Sequence, residues 1–453
     1  EDSMFQDREY FNSLRKIAVP IIIQQFVWSA LNLLDVVMIG QLGDASVAGV
    51  GLANQVFFLL TFLLFGTSSG AAVFTAQYWG KGDVTSIRKV LGLSLGVSFV
   101  GSLLFTLVAV AIPNTVLSIY SRDPEVIAIG GRYLRIVAIS YIPTAVTFAY
   151  GSVLRSIGNT RLPMITTVIA LVIKTAISYV LIFGYFGAPK MGVEGAAIGT
   201  AVARVLQIFI LIIPIYTQKL PIAAKLKEMG GFSPEFVKAY IKVGLPVMVQ
   251  EVLWSLGMST YNLVYARIGT QSIAAVNIAG TIENLAFVIF IGISDACAVI
   301  IGNQIGANNE ANAKRYARYS LTLVTLGGFL VGVLIWLSSG LILELYEISP
   351  EAHDFAIQVL TVMAFTLWVK VSNMTIIVGI LRSGGDTRYA LILEMLTIWL
   401  VGVPLALLGA FVFHLPVYWV VLMVAAEELC KYIIGLRRFA TGRWVNNLVQ
   451  YAA

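Results

Sequence analysis

Charged side chains are scarce in this sequence, and histidine and cysteine are almost missing. Asp, Glu, Lys and Arg make up 12% of the 453 residues, which is about half of their share in a soluble protein. Only two histidines and two cysteines are present, and Cys297 and Cys430 both lie inside apolar runs. This pattern excludes a disulfide framework and a zinc site built from Cys and His. No HExxH or glycine-rich phosphate loop occurs, and GxSxG occurs only at 66–70 and 92–96, inside apolar runs and not at the strand-to-helix turn that a nucleophile requires. The sequence therefore predicts no enzyme and no cofactor.

Long apolar runs fill the chain instead. Hydrophobic residues make up 58% of the sequence, and runs such as 90–112 and 319–345 exceed the roughly 20 residues that cross a bilayer as a helix. Membrane barrels use strands of about ten residues, which these runs exceed. We therefore expect an all-α polytopic membrane protein in contact with lipid, because a helix satisfies its own backbone in the bilayer. The predicted transmembrane helices number twelve, at 17–40, 47–79, 90–118, 126–153, 163–186, 193–216, 241–266, 272–304, 316–344, 352–380, 389–413 and 416–438.

The two halves of the chain repeat each other. A shift of 226 positions pairs Pro20 with Pro246 and Trp28 with Trp254, and 15 of the 61 pairs over 20–80 are identical, against about five by chance. Six helices in each copy, an even number, give the copies the same orientation, with a pseudo-two-fold axis along the membrane normal. The predicted domains are an N-terminal lobe (1–216), a cytoplasmic linker (217–242) and a C-terminal lobe (243–453).

The positive charges predict the orientation in the membrane. If both termini are cytoplasmic, 22 of the 30 Lys and Arg residues fall in inner segments and five in outer segments. This bias follows the positive-inside rule. The net charge of +6 is therefore read as a topology signal, and no nucleic-acid partner is expected. We expect a multi-pass protein of the cell membrane with both termini in the cytoplasm.

Several motifs carry a family resemblance over essentially the whole length. They are Leu34–Gly40, Leu154–Arg161, Leu181–Gly184, Gly192–Ala197 and Leu381–Arg388. In this order, with twelve spans and two copies, the chain resembles the multidrug and toxic compound extrusion (MATE) transporters. The resemblance implies two six-helix lobes facing a central cleft, which export mostly cationic amphipathic compounds in exchange for protons or sodium.

Asp35 is the first candidate for ion coupling. Each charged group inside a span costs about 2.5–3.5 kcal/mol, so such a group needs a partner or a function. Gln24, Trp28, Asn32 and Asp35 recur at helical spacing and form one stripe. An aspartate at this place in helix 1 is implicated in coupling in the family that the chain resembles. Lys174 in helix 5 is a potential partner, and an ion pair with Asp35 would be either structural or the switch itself.

The second copy offers a different set of charges. Glu251 in helix 7 and Glu283 and Asp295 in helix 8 would form an acidic cation-binding group, or one of them would pair with Lys370 in helix 10. Relatives often have an aspartate where this chain has Lys370, so protons are favoured over sodium, with Glu251 as the sodium ligand in the alternative and no other metal site. The predicted substrate cavity uses cation–π and polar contacts from Gln24, Trp28, Asn32, Lys174, Gln250, Trp254, Tyr261, Lys370 and Asn373.

Other charged residues inside the spans are interpreted as structural. Glu427 and Lys431 have the i,i+4 spacing of a local helix pair, and Glu428 lies beside them. Glu394 on helix 11 is likewise interpreted as a structural residue. Arg204 on helix 6 is expected to pair with an acid or to extend toward the membrane surface.

The sequence thus predicts a secondary active multidrug exporter that is monomeric and works by alternating access. It would exchange small organic cations for protons, with sodium as the other coupling ion. The alternative within transport is a flippase for lipid-linked oligosaccharides, which would need a cationic cavity. Lys174, Arg204 and Lys370 keep that alternative open. A membrane protein without transport activity is the alternative from a different functional class. A flux measurement distinguishes it from both kinds of transporter.

Overall fold

The computed structural model of the protein describes residues 7–344, 346 and 349–449, and no strand occurs among them. Each of the twelve predicted spans coincides with a long helix, so the all-α polytopic fold is confirmed. A short helix, Pro113–Ser118, follows the third of them. The long helices are α1 Arg8–Gly40, α2 Asp44–Lys81, α3 Val84–Ala111, α4 Pro124–Ser156, α5 Arg161–Phe183, α6 Val193–Thr217, α7 Pro234–Ile268, α8 Thr270–Gly306, α9 Glu310–Leu343, α10 Pro350–Arg382, α11 Thr387–Val412 and α12 Val417–Ala440.

Ten of these helices are apolar enough, by composition alone, to cross a membrane. The two others are α7 and α12. Both carry polar or charged side chains near their middle, Gln250 and Glu251 on α7 and Glu427 and Lys431 on α12. Because such groups must be satisfied inside the protein, these two helices are where buried polar contacts are expected.

The two motifs Leu154–Arg161 and Leu381–Arg388, which match each other in the repeat, contain turns in the structure. Gly158, after α4, and Gly385, after α10, have φ values of 82° and 77°, a region that glycine enters without a Cβ penalty. The Asp386 carboxylate next to Gly385 accepts a hydrogen bond from Arg438 Nε at 2.7 Å. Each turn reverses the chain between two long helices of its own copy.

Helices α10 and α11 contain π-helical segments that the sequence pattern did not predict. The last eight residues of α10, Thr375–Arg382, are π-helical, and so are Ile398–Gly402 and Leu408–Val412 of α11. Such segments shift the helix face by about one residue and often occur at functional sites. Two of them end at Arg382 and Gly402, which are near the charged groups described below.

The described residues form two compact units. One unit is Ile23–Gly244, and the other combines the residues up to Ile22 with those from Leu245 onward. The first has a core of buried side chains from α2, α4 and α6 that includes Leu60, Leu134 and Tyr141. The second has a core that includes Tyr261, Val359 and Val420. The unit boundaries fall inside α1 and α7, close to Pro20 and Pro246.

The segment between α6 and α7 is attached to α3. Arg88 donates from Nε to the carbonyl oxygen of Pro221 at 3.0 Å and forms an ion pair with Glu228 at 2.8 Å. A Cβ on Gly92 would be only 1.9 Å from the carbonyl oxygen of Met229, so the segment lies directly on the α3 backbone there. These contacts hold a polar connection against the first unit.

Candidate cation-binding sites

Asp35 on α1 and Lys174 on α5 form an ion pair in the first unit. The Lys174 ammonium donates to Asp35 Oδ2, and the two side chains keep 18% and 17% of their surface exposed. Lys174 is thus the partner that the sequence suggested for Asp35. Gln24 and Asn32, which precede Asp35 on its stripe, are half-buried, and Trp28 is exposed.

Polar groups without partners lie near this pair on α5. The Ser178 hydroxyl, one turn after Lys174, is buried and has no hydrogen-bond partner within the part of the chain that the structure describes. A Cβ on Gly199 of α6 would be 2.3 Å from that hydroxyl oxygen, so α6 approaches α5 closely at this point. Arg204, further along α6, donates to Gln207 Oε1 at 2.8 Å and has no ion pair with an acid among the described residues. The guanidinium is therefore satisfied by an amide and not by the expected carboxylate.

In the second unit, Glu283 on α8 pairs with Lys370 on α10. Lys370 Nζ lies 2.6 Å from Glu283 Oε1, which is the salt bridge that competed with an acidic cluster in the sequence analysis. Asp295 lies twelve residues further along α8, about 18 Å at the usual rise per residue, and is half-buried. The two α8 acids are therefore at different depths and do not form one group with each other.

Glu251 on α7 is also paired. Its Oε1 accepts from Arg382 Nη2 at 2.7 Å, and the Arg382 side chain is only 10% exposed. Arg382 is the last residue of the π-helical segment of α10. A guanidinium thus occupies the position that a sodium ion would need at Glu251.

The most buried charges belong to residues that the sequence analysis interpreted as structural. The predicted pair on α12 forms, with Lys431 Nζ 2.7 Å from Glu427 Oε1. The same ammonium lies 3.4 Å from Glu428 Oε1 and 3.9 Å from Glu394 Oε1 on α11. Lys431 and Glu427 are 3% and 1% exposed. We call Lys431 with Glu394, Glu427 and Glu428 the Lys431 cluster.

Two predicted cavity residues contact this cluster. Gln250 Nε2 donates to Glu394 Oε2, and Asn373 Nδ2 donates to Glu428 Oε2 at 2.7 Å. Both amides are buried, whereas Trp254 on the next turn of α7 is 42% exposed. The structure therefore brings together Gln250, Asn373 and Tyr261 from the predicted set, around acids that were not in that set.

The sequence contained a signal for the Lys431 cluster. Helix α12 places Glu427, Glu428 and Lys431 within five consecutive residues of one span, and buried charges of this kind are costly unless paired. Spacing along one helix identifies a local pair but not a second helix that approaches it. The contribution of Glu394 depends on the packing of α11 against α12, which no local pattern encodes.

Comparisons with known proteins agree with this architecture. The sequence model of the MatE family matches residues 20–180 and 246–408, which are the two copies of the repeat. A probable multidrug resistance protein NorM of Thermotoga maritima is 25% identical, over 97% of this chain and 94% of the relative. One of the same name from Rhizobium meliloti is 29% identical, over 87% and 85%.

Solved structures share the fold. A mutant of the Vibrio cholerae MATE transporter VcmN superimposes with a TM-score of 0.89 at 19% identity, over 98% of this chain and 99% of that one. A MOP superfamily transporter from Pyrococcus furiosus gives 0.83 at 21% identity, over 95% and 94%. The two-lobe arrangement of twelve transmembrane helices is thus the fold of this chain, which is a transporter and not an enzyme. Because the family model covers most of both copies, the chain belongs to the MatE family of multi-pass membrane transporters.

Proposed function

We propose that the protein is a secondary active multidrug exporter of the cell membrane, with both termini cytoplasmic. It exchanges cationic amphipathic compounds for protons by alternating access. The printed names of the Thermotoga maritima and Rhizobium meliloti relatives, both probable multidrug resistance proteins, support the substrate class. Sodium is the alternative coupling ion.

The Asp35–Lys174 ion pair is the observation that carries the proton proposal. Both side chains are largely buried, and each carries the charge that balances the other. With the carboxylate ionised, the pair is neutral. Protonation of Asp35 removes the negative charge and leaves the Lys174 ammonium unpaired. One proton therefore changes the net charge of this site from zero to plus one.

That charge change makes proton binding and cation binding antagonistic. A neutral pair tolerates an organic cation nearby, whereas an unpaired ammonium repels it by Coulomb interaction, which is strong where water is scarce. A proton that enters from outside would thus expel the bound compound. Return of the proton to the cytoplasm restores the pair and the affinity for the next cation.

The charge balance limits the driving force. A one-for-one exchange of a proton for a monovalent cation moves no net charge, so the membrane potential does not contribute. One pH unit then supplies about 1.4 kcal/mol, which corresponds to an outward gradient of about tenfold. For a neutral compound the potential adds about 2.3 kcal/mol per 100 mV.

Sodium coupling at Glu251 is less well supported. Arg382 donates to the Glu251 carboxylate at 2.7 Å, and sodium would have to compete with this guanidinium. Protons are therefore the better candidate.

A lipid-linked sugar flippase is also less well supported. Recognition of a pyrophosphate needs cations that are free to bind it. Lys174 and Lys370 are both paired with carboxylates, and Arg204 is bound to Gln207. These contacts favour a drug exporter over the flippase.

Flux in proteoliposomes tests the proposal. Uptake of a fluorescent organic cation is measured with a proton gradient and, separately, with a sodium gradient. The variants are Asp35→Asn, Glu251→Gln and the matched control Asp44→Asn, which makes the same change at an exposed aspartate. We expect proton-driven flux in the wild type and in Asp44→Asn, and its loss in Asp35→Asn.

Two results would contradict this mechanism. Flux that needs sodium and is lost only in Glu251→Gln would move coupling to the second unit. Absence of gradient-driven flux of any tested cation would overturn drug export, and lipid translocation would then be measured in the same vesicles.

A further inference from the structure

The second unit buries more negative charge than positive charge around the Lys431 cluster. Glu283 has Lys370 and Glu251 has Arg382, so each of these acids has its own cation. Among the described residues, Lys431 is the only cation within ion-pair distance of the three other carboxylates, Glu394, Glu427 and Glu428. The groups that face the cluster from the surrounding helices are Glu251, Tyr261 and Tyr265 on α7, Glu283 on α8, Lys370 and Arg382 on α10, and Glu394 on α11.

Because the carboxylates outnumber the cations, one more positive charge would stabilise this network. With five carboxylates and three cations in the network, the fully ionised form carries a net charge of minus two. Uncompensated buried charge is costly, and proteins neutralise it by binding a proton or an ion. The Lys431 ammonium already lies among the three carboxylates, where a metal ion would have to sit. A proton needs no such space.

Buried polar atoms without partners point into the same region. The Tyr261 hydroxyl, Gln250 Oε1 and Asn373 Oδ1 have no hydrogen-bond partner among the described residues. All three side chains are more than nine-tenths buried, at 4%, 1% and 3% exposed. The two amides are held at the cluster by their own N–H donors to Glu394 and Glu428. Native proteins rarely leave such atoms unsatisfied.

The Tyr261 hydroxyl lies next to Glu427. A Cβ placed on Gly402 would be 1.8 Å from that hydroxyl oxygen and 3.2 Å from Glu427 Cγ, so both groups border the same small space. The Tyr261 hydroxyl and the Glu427 side chain are therefore neighbours at the cluster, although no hydrogen bond joins them.

We propose that the Lys431 cluster is a proton-binding site of the second unit, which takes up one proton on Glu427. The proton comes from water, bonds to a carboxylate oxygen of Glu427 and leaves Lys431 paired with Glu428 and Glu394. The site is separate from Asp35 and Lys174, which belong to the other unit. The inference depends on the proposed function only for its use in transport, since proton binding is measurable without flux.

The carboxylic C=O stretch in infrared spectra tests this site. Purified wild type, Glu427→Gln and Glu310→Gln are titrated from alkaline pH down to, but not into, the acidic range in which exposed carboxylates bind protons. Glu310 is the matched control, because it forms an exposed i,i+4 pair with Lys314 on α9. We expect a carboxylic acid band in the wild type that Glu310→Gln keeps and Glu427→Gln loses, with one proton fewer bound per protein. An unchanged band in Glu427→Gln would overturn the proposal.

Two further variants keep the test open if Glu427→Gln fails to fold. Glu428→Gln removes the negative charge that acts on Glu427 and should move the titration to more acidic pH. Lys431→Met removes the ammonium and should move it to more alkaline pH. Opposite shifts support the proton site, whereas two shifts of the same sign, or none, contradict it.

A comparison of two salts tests whether the cluster binds a proton or sodium. The wild-type titration is repeated with sodium chloride and with the chloride of a large organic cation. A proton site gives the same titration in both salts. Selective loss of the band in sodium would assign the cluster to sodium and overturn the proposal. If proton-driven flux fails in vesicles while the Glu427 band titrates, the proposed function fails and this site stands.

Discussion

The hydroxyl of Tyr261 on α7 lies against Gly402 on α11, where a Cβ would approach the oxygen to 1.8 Å. The shift of 226 positions makes Tyr261 the counterpart of Asp35. Helix α11 is likewise the counterpart of α5, which carries Lys174. In the first unit this place is filled by an ion pair. In the second unit it holds a tyrosine and a glycine, and the cation comes from Lys431 on α12.

Substitution of Gly402 by alanine should disturb this contact. Because Gly402 has helical φ and ψ, the backbone accepts alanine, and the effect comes from overlap with Tyr261. Overpacking of this kind costs about 1–3 kcal/mol, measured as a fall in the free energy of unfolding in detergent. The double variant Gly402→Ala with Tyr261→Phe should recover most of it, since the nearest ring carbon is 3.0 Å from the added Cβ. Equal instability of both variants would contradict the assigned contact.

Removal of Lys174 should cost more than simultaneous removal of both members of the first-unit pair. Lys174→Met leaves the Asp35 carboxylate in a largely buried site without its cation. The coupling between Asp35→Asn and Lys174→Met should be about 0.5–3 kcal/mol, measured by a double-mutant cycle of unfolding. The double variant is expected to fold well and still lack proton-driven flux, because the carboxylate at this site has been removed. Additive effects of the two substitutions would exclude a direct pair.

Substitution of Glu251 should act on stability and not on ion selectivity. Glu251→Gln leaves the buried Arg382 guanidinium without its carboxylate. Loss of one partner of a buried pair costs about 3–5 kcal/mol, and the lower end is expected here because Glu251 is 24% exposed. Unfolding is compared with that of Glu310→Gln, which should be neutral. If Glu251→Gln is as stable as the wild type but loses a sodium response, Glu251 is a sodium ligand.

The segment between α6 and α7 should loosen at acidic pH. The Lys225 backbone N–H, which donates at 2.7 Å, and the Arg88 guanidinium hold the pKa of Glu228 below its usual value. The stabilisation is therefore complete above the usual pKa and is lost as the pH falls through the lowered one. Hydrogen exchange of residues 217–233, corrected for intrinsic rates, should rise only in that acidic range.

Glu228→Gln provides the comparison for this pH effect. It should exchange quickly in the same segment already at neutral pH, because the amide lacks the charge that Arg88 binds. Glu235→Gln, an exposed acid in the first turn of α7, is the control and should behave like the wild type. Equal exchange in Glu228→Gln and wild type would show that the ion pair does not hold the segment.

Sequence patterns alone were sufficient to predict the helices, the repeat and the family. In lipid, a helix satisfies the hydrogen bonds of its own backbone. Each long apolar run therefore predicts a helix regardless of its neighbours. The turns at Gly158 and Gly385 were equally local, since positive φ is a property of one residue. The Asp35–Lys174 pair could be suggested from the sequence, because each side chain is an isolated charge in an apolar helix.

How the charges of the second unit are shared depends on tertiary packing. Glu251 pairs with Arg382, the last residue of a π-helical segment, and hydrophobic periodicity does not reveal such a segment. Glu394 joins Lys431 because α11 packs beside α12. The i,i+4 rule describes neighbours on one helix, whereas the partners of a buried charge are set by which helices meet at its depth. That is a property of packing between distant parts of the chain.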